Sequence, residues 1–68
     1  MQDHIYKKVE LTGSSTESSD QAIRNAITKA GASLRHIDWF EMVEMRGEVQ
    51  NNEINHWQVT IKVGFRLD

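Results

Sequence analysis

Trp39, Gln58 and Arg46 are the residues of this sequence whose chemistry points most directly to a ligand. An indole offers a flat π-surface on which a planar molecule stacks in offset geometry. A primary amide both donates and accepts, so Gln58 can match the edge of a heterocycle that presents both functions. Arg46 can hold a phosphate with two parallel hydrogen bonds, and the Gly47 that follows it marks a bulge or a close backbone approach. Each has a plainer role open to it. Trp39 can be a core or interface tryptophan, Gln58 a solvated strand residue, and Arg46 the partner of Glu41, Glu44 or Glu48 in an ion pair. His4, His36 and His56 lack metal-ligand spacing, and no nucleophile–base pair, paired carboxylate set or glycine-rich phosphate loop stands out. The residue types argue for binding rather than for an enzyme.

The totals narrow what can surround these residues. Sixty-eight residues make one domain, residues 1–68, with a small core. A core of that size rarely leaves more than about 3–5 kcal/mol of stability without disulfides, metal or association. The sequence has no cysteine, which excludes disulfides and thiolate metal sites. Association is then the expected extra source of stability. A formal charge of -2 provides no basic footprint for nucleic acid. No apolar run approaches the roughly 20 residues of a membrane span. Met1-Gln2-Asp3-His4 lacks the basic and apolar regions of a signal peptide. The sequence closes at Asp68, and no longer C-terminal contact is expected. The expectation is a soluble, cytoplasmic, oligomeric domain with neither nucleic acid nor membrane as partner.

Four elements must position the three side chains. Alternation over residues 4–12 predicts a first strand, with Ile5, Lys7, Val9 and Leu11 opposing Tyr6, Lys8, Glu10 and Thr12. Gly13 to Asp20 has turn composition, and Ser18 or Ser19 can cap a helix by accepting a bond from a first-turn amide. Ala22, Ile23, Ala26, Ile27, Ala30 and Leu34 draw one apolar stripe, predicting a helix over residues 19–36. Gly31 weakens its last turn or packs tightly there, and Arg35 and His36 sit at its negative end. A second strand over 38–50 is unusual, because Trp39, Val43 and Val49 share one parity while Phe40 and Met42 share the other. A strand apolar on both faces needs two covers, here the helix and a second subunit or ligand. Asn51-Asn52 supplies a turn. Strand 54–67 follows, with Trp57, Val59, Ile61, Val63, Phe65 and Leu67 facing the helix. Pairing about that turn places Gln58 opposite about position 45. Gln58 and Arg66 fall on the face that the helix does not reach, and Trp57 falls on the core side.

In this order and at these intervals the chain resembles the dodecins, small flavin-binding proteins. The resemblance is carried by Tyr6-Lys7-Lys8-Val9-Glu10-Leu11 with Gly13-Ser14-Ser15, and by Ala22-Ile23 with Asn25-Ala26. It is carried further by Asp38-Trp39-Phe40-Glu41 with Glu44 and Arg46-Gly47, and by Trp57-Gln58-Val59-Thr60 with Lys62 to Leu67. It implies an α+β fold, β-α-β-β, whose three-stranded antiparallel sheet wraps around one helix. It also implies twelve copies assembled as a homododecameric hollow shell. The implied ligand is FMN, riboflavin or another flavin, held as stacked pairs between symmetry-related tryptophans. By the same resemblance Trp39 is the sandwiching residue, Gln58 bonds the polar edge of the ring, and Arg46 attends the phosphate. Arg66 corresponds to a coenzyme A site of some bacterial members. The implied function is flavin storage and quenching of flavin photochemistry. The alternatives are a carrier of both coenzyme A and flavin, and a small flavin-dependent redox protein. Position 57 is Trp where smaller aromatics are also common in the family, and its parity assigns it to packing.

Overall fold

The computed structural model of the chain describes residues 3–67. Met1, Gln2 and Asp68, on which the expectations about a leader and a C-terminal contact bear, lie outside the described residues. The elements run β1 (Ile5–Ser15), α1 (Ser19–Gly31), β2 (Ile37–Gln50) and β3 (Glu53–Leu67). One antiparallel sheet has the order β1-β3-β2, so the last strand is the central one. The β-α-β-β arrangement expected from the sequence is the one observed.

The core forms where α1 lies on β1 and β3. Val59, Ile61 and Val63 are fully buried beneath Ala22, Ala26 and Ala30. Burying each such β3 side chain contributes about 1.5–3 kcal/mol. The alanines let the helix approach closely, and Gly13 lets it come closer still. A Cβ at position 13 would stand 2.2 Å from the Ala22 carbonyl oxygen and 2.8 Å from Ala26 Cβ. Strand β1 therefore runs beneath the helix to Ser15 instead of breaking after residue 12. Gly13 serves close packing, not a turn.

Ser18 is the N-cap, its hydroxyl accepting from the Gln21 amide at 2.9 Å. The helix ends at Gly31, five residues short of the expected end at 36. Its last turn closes tightly: the Ala32 amide donates to Lys29 O at 3.2 Å, and those of Ser33 and Leu34 to Ala30 O at 3.1 and 2.9 Å. Lys29, not Arg35 or His36, is the last-turn cation. Leu34 still reaches the core from the connection, which is why the apolar stripe overran the helix. His36, with φ of 60°, turns the chain into β2.

The hairpin turn sits where the sequence put it. Asn51 and Asn52 have φ of 52° and 64°, the left-handed pair that suits the twist of a two-residue hairpin. Beyond it the register slips between Glu48 and Val49, so Gln58 faces Arg46 rather than position 45. Two more slips, Ile37/Trp39 and Met42/Glu44, follow along β2. Each extra residue moves everything after it to the opposite face. Ile37 consequently joins the core, while Trp39, Glu41, Glu44, Arg46 and Glu48 share the face away from α1. Phe40, Met42 and Met45 fall on the helix side, but α1 does not cover them. They remain 45, 52 and 54% exposed. The helix is thus not one of the two covers expected for this strand. It lies one strand too far away, and β3 separates it from β2.

Candidate ligand-binding site

The sheet face away from α1 carries two groups of side chains, one towards each end of β3. Gly64 is the floor of the first, with Lys8 of β1 on one side and Trp39 of β2 on the other. The indole fills the space that a side chain at 64 would need: a Cβ there would lie 2.2 Å from Trp39 Cε2 and Cζ2. Tyr6 meets the indole edge-on, with centroids 5.3 Å apart and planes at 64°. Trp39 Nε1 donates to Glu41 Oε2 at 3.0 Å, and Lys8 Nζ donates to the same oxygen at 3.1 Å. The ring is therefore backed by the strand and tethered at its edge while 36% of the residue stays exposed. What remains open is an aromatic surface.

The indole N–H bond, and after it the Lys8 bond, holds the Glu41 carboxyl below its ordinary pKa. A lowered folded-state pKa contributes stability above the ordinary carboxylate value and loses it as pH falls through the lowered one. Glu41 and Lys8 are solvent-accessible, so water screening keeps that contribution small. The tether's main effect is on ring orientation.

The second group centres on Arg46 and Gln58, which are direct cross-strand partners. Arg46 Nε donates to Gln58 Oε1 at 2.7 Å. Among the described residues no ion pair joins Arg46 to Glu41, Glu44 or Glu48. On the other side of the amide, Gln58 Nε2 stands 3.4 Å from His56 Nε2. His56 Nδ1 is 3.5 Å from Glu48 Oε1, an oxygen that also accepts from Asn55 Nδ2 at 2.5 Å. Sequence reasoning names Glu48 only as an ion-pair partner of Arg46 and His56 only as a metal-ligand candidate, and it misses their approach to each other and to Gln58. The parity that both share with Gln58 and Arg46 is the available signal.

The structure does not unite the expected site residues within one chain. Gly64, beneath Trp39, and Gln58 are six residues apart on β3, a span of about 20 Å at strand rise. Arg66 belongs with the Trp39 group, two residues beyond Gly64 and opposite Tyr6. Its side-chain Nη2 lies 3.5 Å from His36 Nδ1, and its amide donates to the His36 carbonyl at 3.1 Å. Trp39 with Arg66 and Arg46 with Gln58 are thus two separate groups on one face. Among the described residues, no set of three or more His, Cys, Asp or Glu is placed to hold a metal ion, and no helix is long and apolar enough to cross a membrane.

Comparison with known proteins identifies the fold and the family. The sequence model of the Dodecin family matches residues 5–68. A dodecin of Thermus thermophilus is 47% identical over 64 residues, which cover 94% of this chain and 93% of that one. The structure of dodecin from Streptomyces davaonensis matches with 52% identity, 98% coverage of each chain and a TM-score of 0.93. That of dodecin from Streptomyces coelicolor matches with 46% identity, coverage of 100% and 97%, and a TM-score of 0.94. With the fold, its length and its sequence all in agreement, the chain belongs to the dodecin family.

Proposed function

We propose that the protein is a cytoplasmic flavin store, a binding protein and not an enzyme. In this reading twelve copies form a hollow shell that sequesters FMN or riboflavin as stacked pairs between tryptophans. The observation that carries it is the seating of Trp39, whose indole lies over Gly64, is tethered through Glu41, and keeps surface open for stacking. The second half-site fits the same class of ligand. After serving Arg46 and His56, the Gln58 amide keeps one acceptor site and one N–H, which matches a ring edge that alternates C=O and N–H. Arg46, beside that amide, can reach a phosphate. In this reading, with about 20 Å between the two groups in one chain, Trp39 of one copy and Gln58 of another serve one ligand.

A flavin supplies a planar, light-absorbing ring that accepts an electron when excited. Trp39 would hold the ring face to face, and its electron-rich indole would quench the excited ring by reversible electron donation. Excitation would then end as heat without net oxidation of the protein. Every group in the site binds or orients, and the scheme requires no proton transfer.

Fluorescence titration of FMN and riboflavin against the parent and Trp39→Ala tests the proposal. The parent is expected to quench both, and Trp39→Ala to bind roughly tenfold more weakly or worse, the worth of one good aromatic contact. Unchanged FMN fluorescence with the parent would overturn the storage role. A Trp39→Ala protein that bound as tightly as the parent would overturn the stacking. A second reading, coenzyme A binding at Arg66, is favoured by the place of Arg66 beside the Trp39 seat and Tyr6. Competition between coenzyme A and FMN separates the two. NAD(P)H turnover by the flavin-loaded protein would instead indicate a redox enzyme.

A further inference from the structure

We infer that His56 is a positioning residue for the Gln58 amide: in its neutral, Nδ1-protonated form it locks Gln58 in one orientation, and its protonation unlocks it. The inference rests on the flavin-binding reading for its ligand, but its geometry stands independently. A guanidinium only donates, so the atom of Gln58 that faces Arg46 Nε at 2.7 Å must be the oxygen. The other amide atom, the NH2 group that only donates, then faces His56 Nε2 at 3.4 Å. His56 Nε2 must accept, and the imidazole proton must sit on Nδ1. The Glu48 carboxylate lies beside that nitrogen, with Oε1 3.5 Å away. Asn55 Nδ2 lies 3.4 Å from Nδ1 and gives one of its two N–H groups to the same carboxylate oxygen at 2.5 Å. The result is a one-way chain of donors, Arg46 to Gln58 to His56, along the open face of the hairpin, with the Glu48 carboxylate beside the ring.

That chain has a specificity consequence. With both inner positions occupied, Gln58 presents its remaining lone pair on the Arg46 side and its remaining N–H on the His56 side. Only a ligand edge with the complementary order, donor then acceptor, is matched. Rotating the amide by half a turn would set its NH2 against the Arg46 donor, so the reversed order is disfavoured.

Protonation of His56 breaks the lock. Nε2 becomes a donor and meets the Gln58 NH2. If the amide turns to satisfy the imidazolium, it meets Arg46 with the wrong atom. One of the two bonds is lost in either orientation. Histidine is the side chain whose ordinary titration falls between pH 5 and 8. The charged groups that face His56 are Glu48 and Arg46, both on β2. On the other side, β1 pairs with β3 only as far as Trp57, and α1 packs on the opposite face. Ligand affinity should therefore fall on acidification by roughly fivefold, the worth of one ordinary hydrogen bond.

Riboflavin is the appropriate probe, because it lacks the phosphate whose own titration would confuse the result. Its dissociation constant is to be measured from pH 5 to 8 for the parent, His56→Gln and His56→Leu. His56→Gln keeps an acceptor but cannot titrate, and is expected to lose the acid-side weakening. His56→Leu is expected to bind roughly fivefold more weakly and without pH dependence. A His56→Gln protein as pH-sensitive as the parent, or a His56→Leu protein as tight at pH 8, would overturn the inference. Imidazole 15N shifts of the ligand-free protein test the lock apart from any flavin. The Nδ1–H tautomer is expected, and an Nε2–H tautomer at pH 8 would overturn the positioning role. Should the parent bind no riboflavin while showing Nδ1–H, the flavin reading fails and the lock remains.

Discussion

A single missing side chain makes the Trp39 platform. The indole occupies the volume above Gly64, so residue 64 controls a ring that belongs to a different strand. Gly64→Ala places a methyl group where Cε2 and Cζ2 now stand. Because the obstructed group is a partly exposed side chain and not backbone, Trp39 can swing aside at small cost to folding. Gly64→Ala is therefore expected to weaken FMN binding roughly fivefold to tenfold by misplacing the stacking surface, with the urea midpoint nearly unchanged. FMN titration and urea unfolding on the same preparation check both halves. Loss of stability without loss of binding would refute the account.

Among the elements, α1 and β1 are joined by an approach too close for any side chain at position 13. Nothing flexible stands in the way there: the nearest atoms are a helix carbonyl and the buried Ala26 Cβ. Gly13→Ala must push the helix off the sheet or bend β1, and overpacking of this kind costs about 1–3 kcal/mol. Urea unfolding should show a lower midpoint with little change in slope. A midpoint within error of the parent would mean that the helix seat is softer than this packing implies. The hairpin bulges, two in β2 and one at Asn55 of β3, act at the same scale. They carry Arg46 to Gln58 and turn Trp39 away from the core, which makes the strand's register part of the site.

For the whole molecule, the exposed apolar surface is decisive. Phe40, Met42 and Met45 lie on the helix side of the sheet, beyond the reach of α1, and each is more than two-fifths exposed. The chain extends over 56 × 20 × 14 Å, so much of the long hairpin lacks a second layer. Contiguous exposed apolar patches mark interaction surfaces, and a chain of this size gains stability from association. Light scattering after size exclusion should find a particle of about twelve times the 7.9 kDa chain. Met42→Glu should reduce it to small species and abolish flavin binding, because a buried unpaired charge costs several kcal/mol. A parent that ran as a monomer, or a Met42→Glu protein of unchanged mass that still bound flavin, would remove the shell from the proposal.

The sequence alone determined the order β-α-β-β, the Asn51-Asn52 turn, a cap at Ser18 or Ser19 and the buried face of β3 from Val59 to Phe65. These follow from local chemistry: periodicity, left-handed asparagines and a hydroxyl before an apolar stripe. Family resemblance, carried by residue types at set intervals, was legible there too. The tertiary structure alone decided how β2 divides its side chains between two faces. Three one-residue slips have no local signature, because each depends on what β3 presents opposite. It also decided the roles of the glycines. Gly13 read as a turn residue and Gly64 as one more position on a strand, since the atoms that need their empty space come from elements distant in the sequence. The pairing of Arg46 with Gln58, and of both with His56 and Glu48, arose in the same way. Residue types indicated what could bind a flavin, and only register and packing settled which of them stand together.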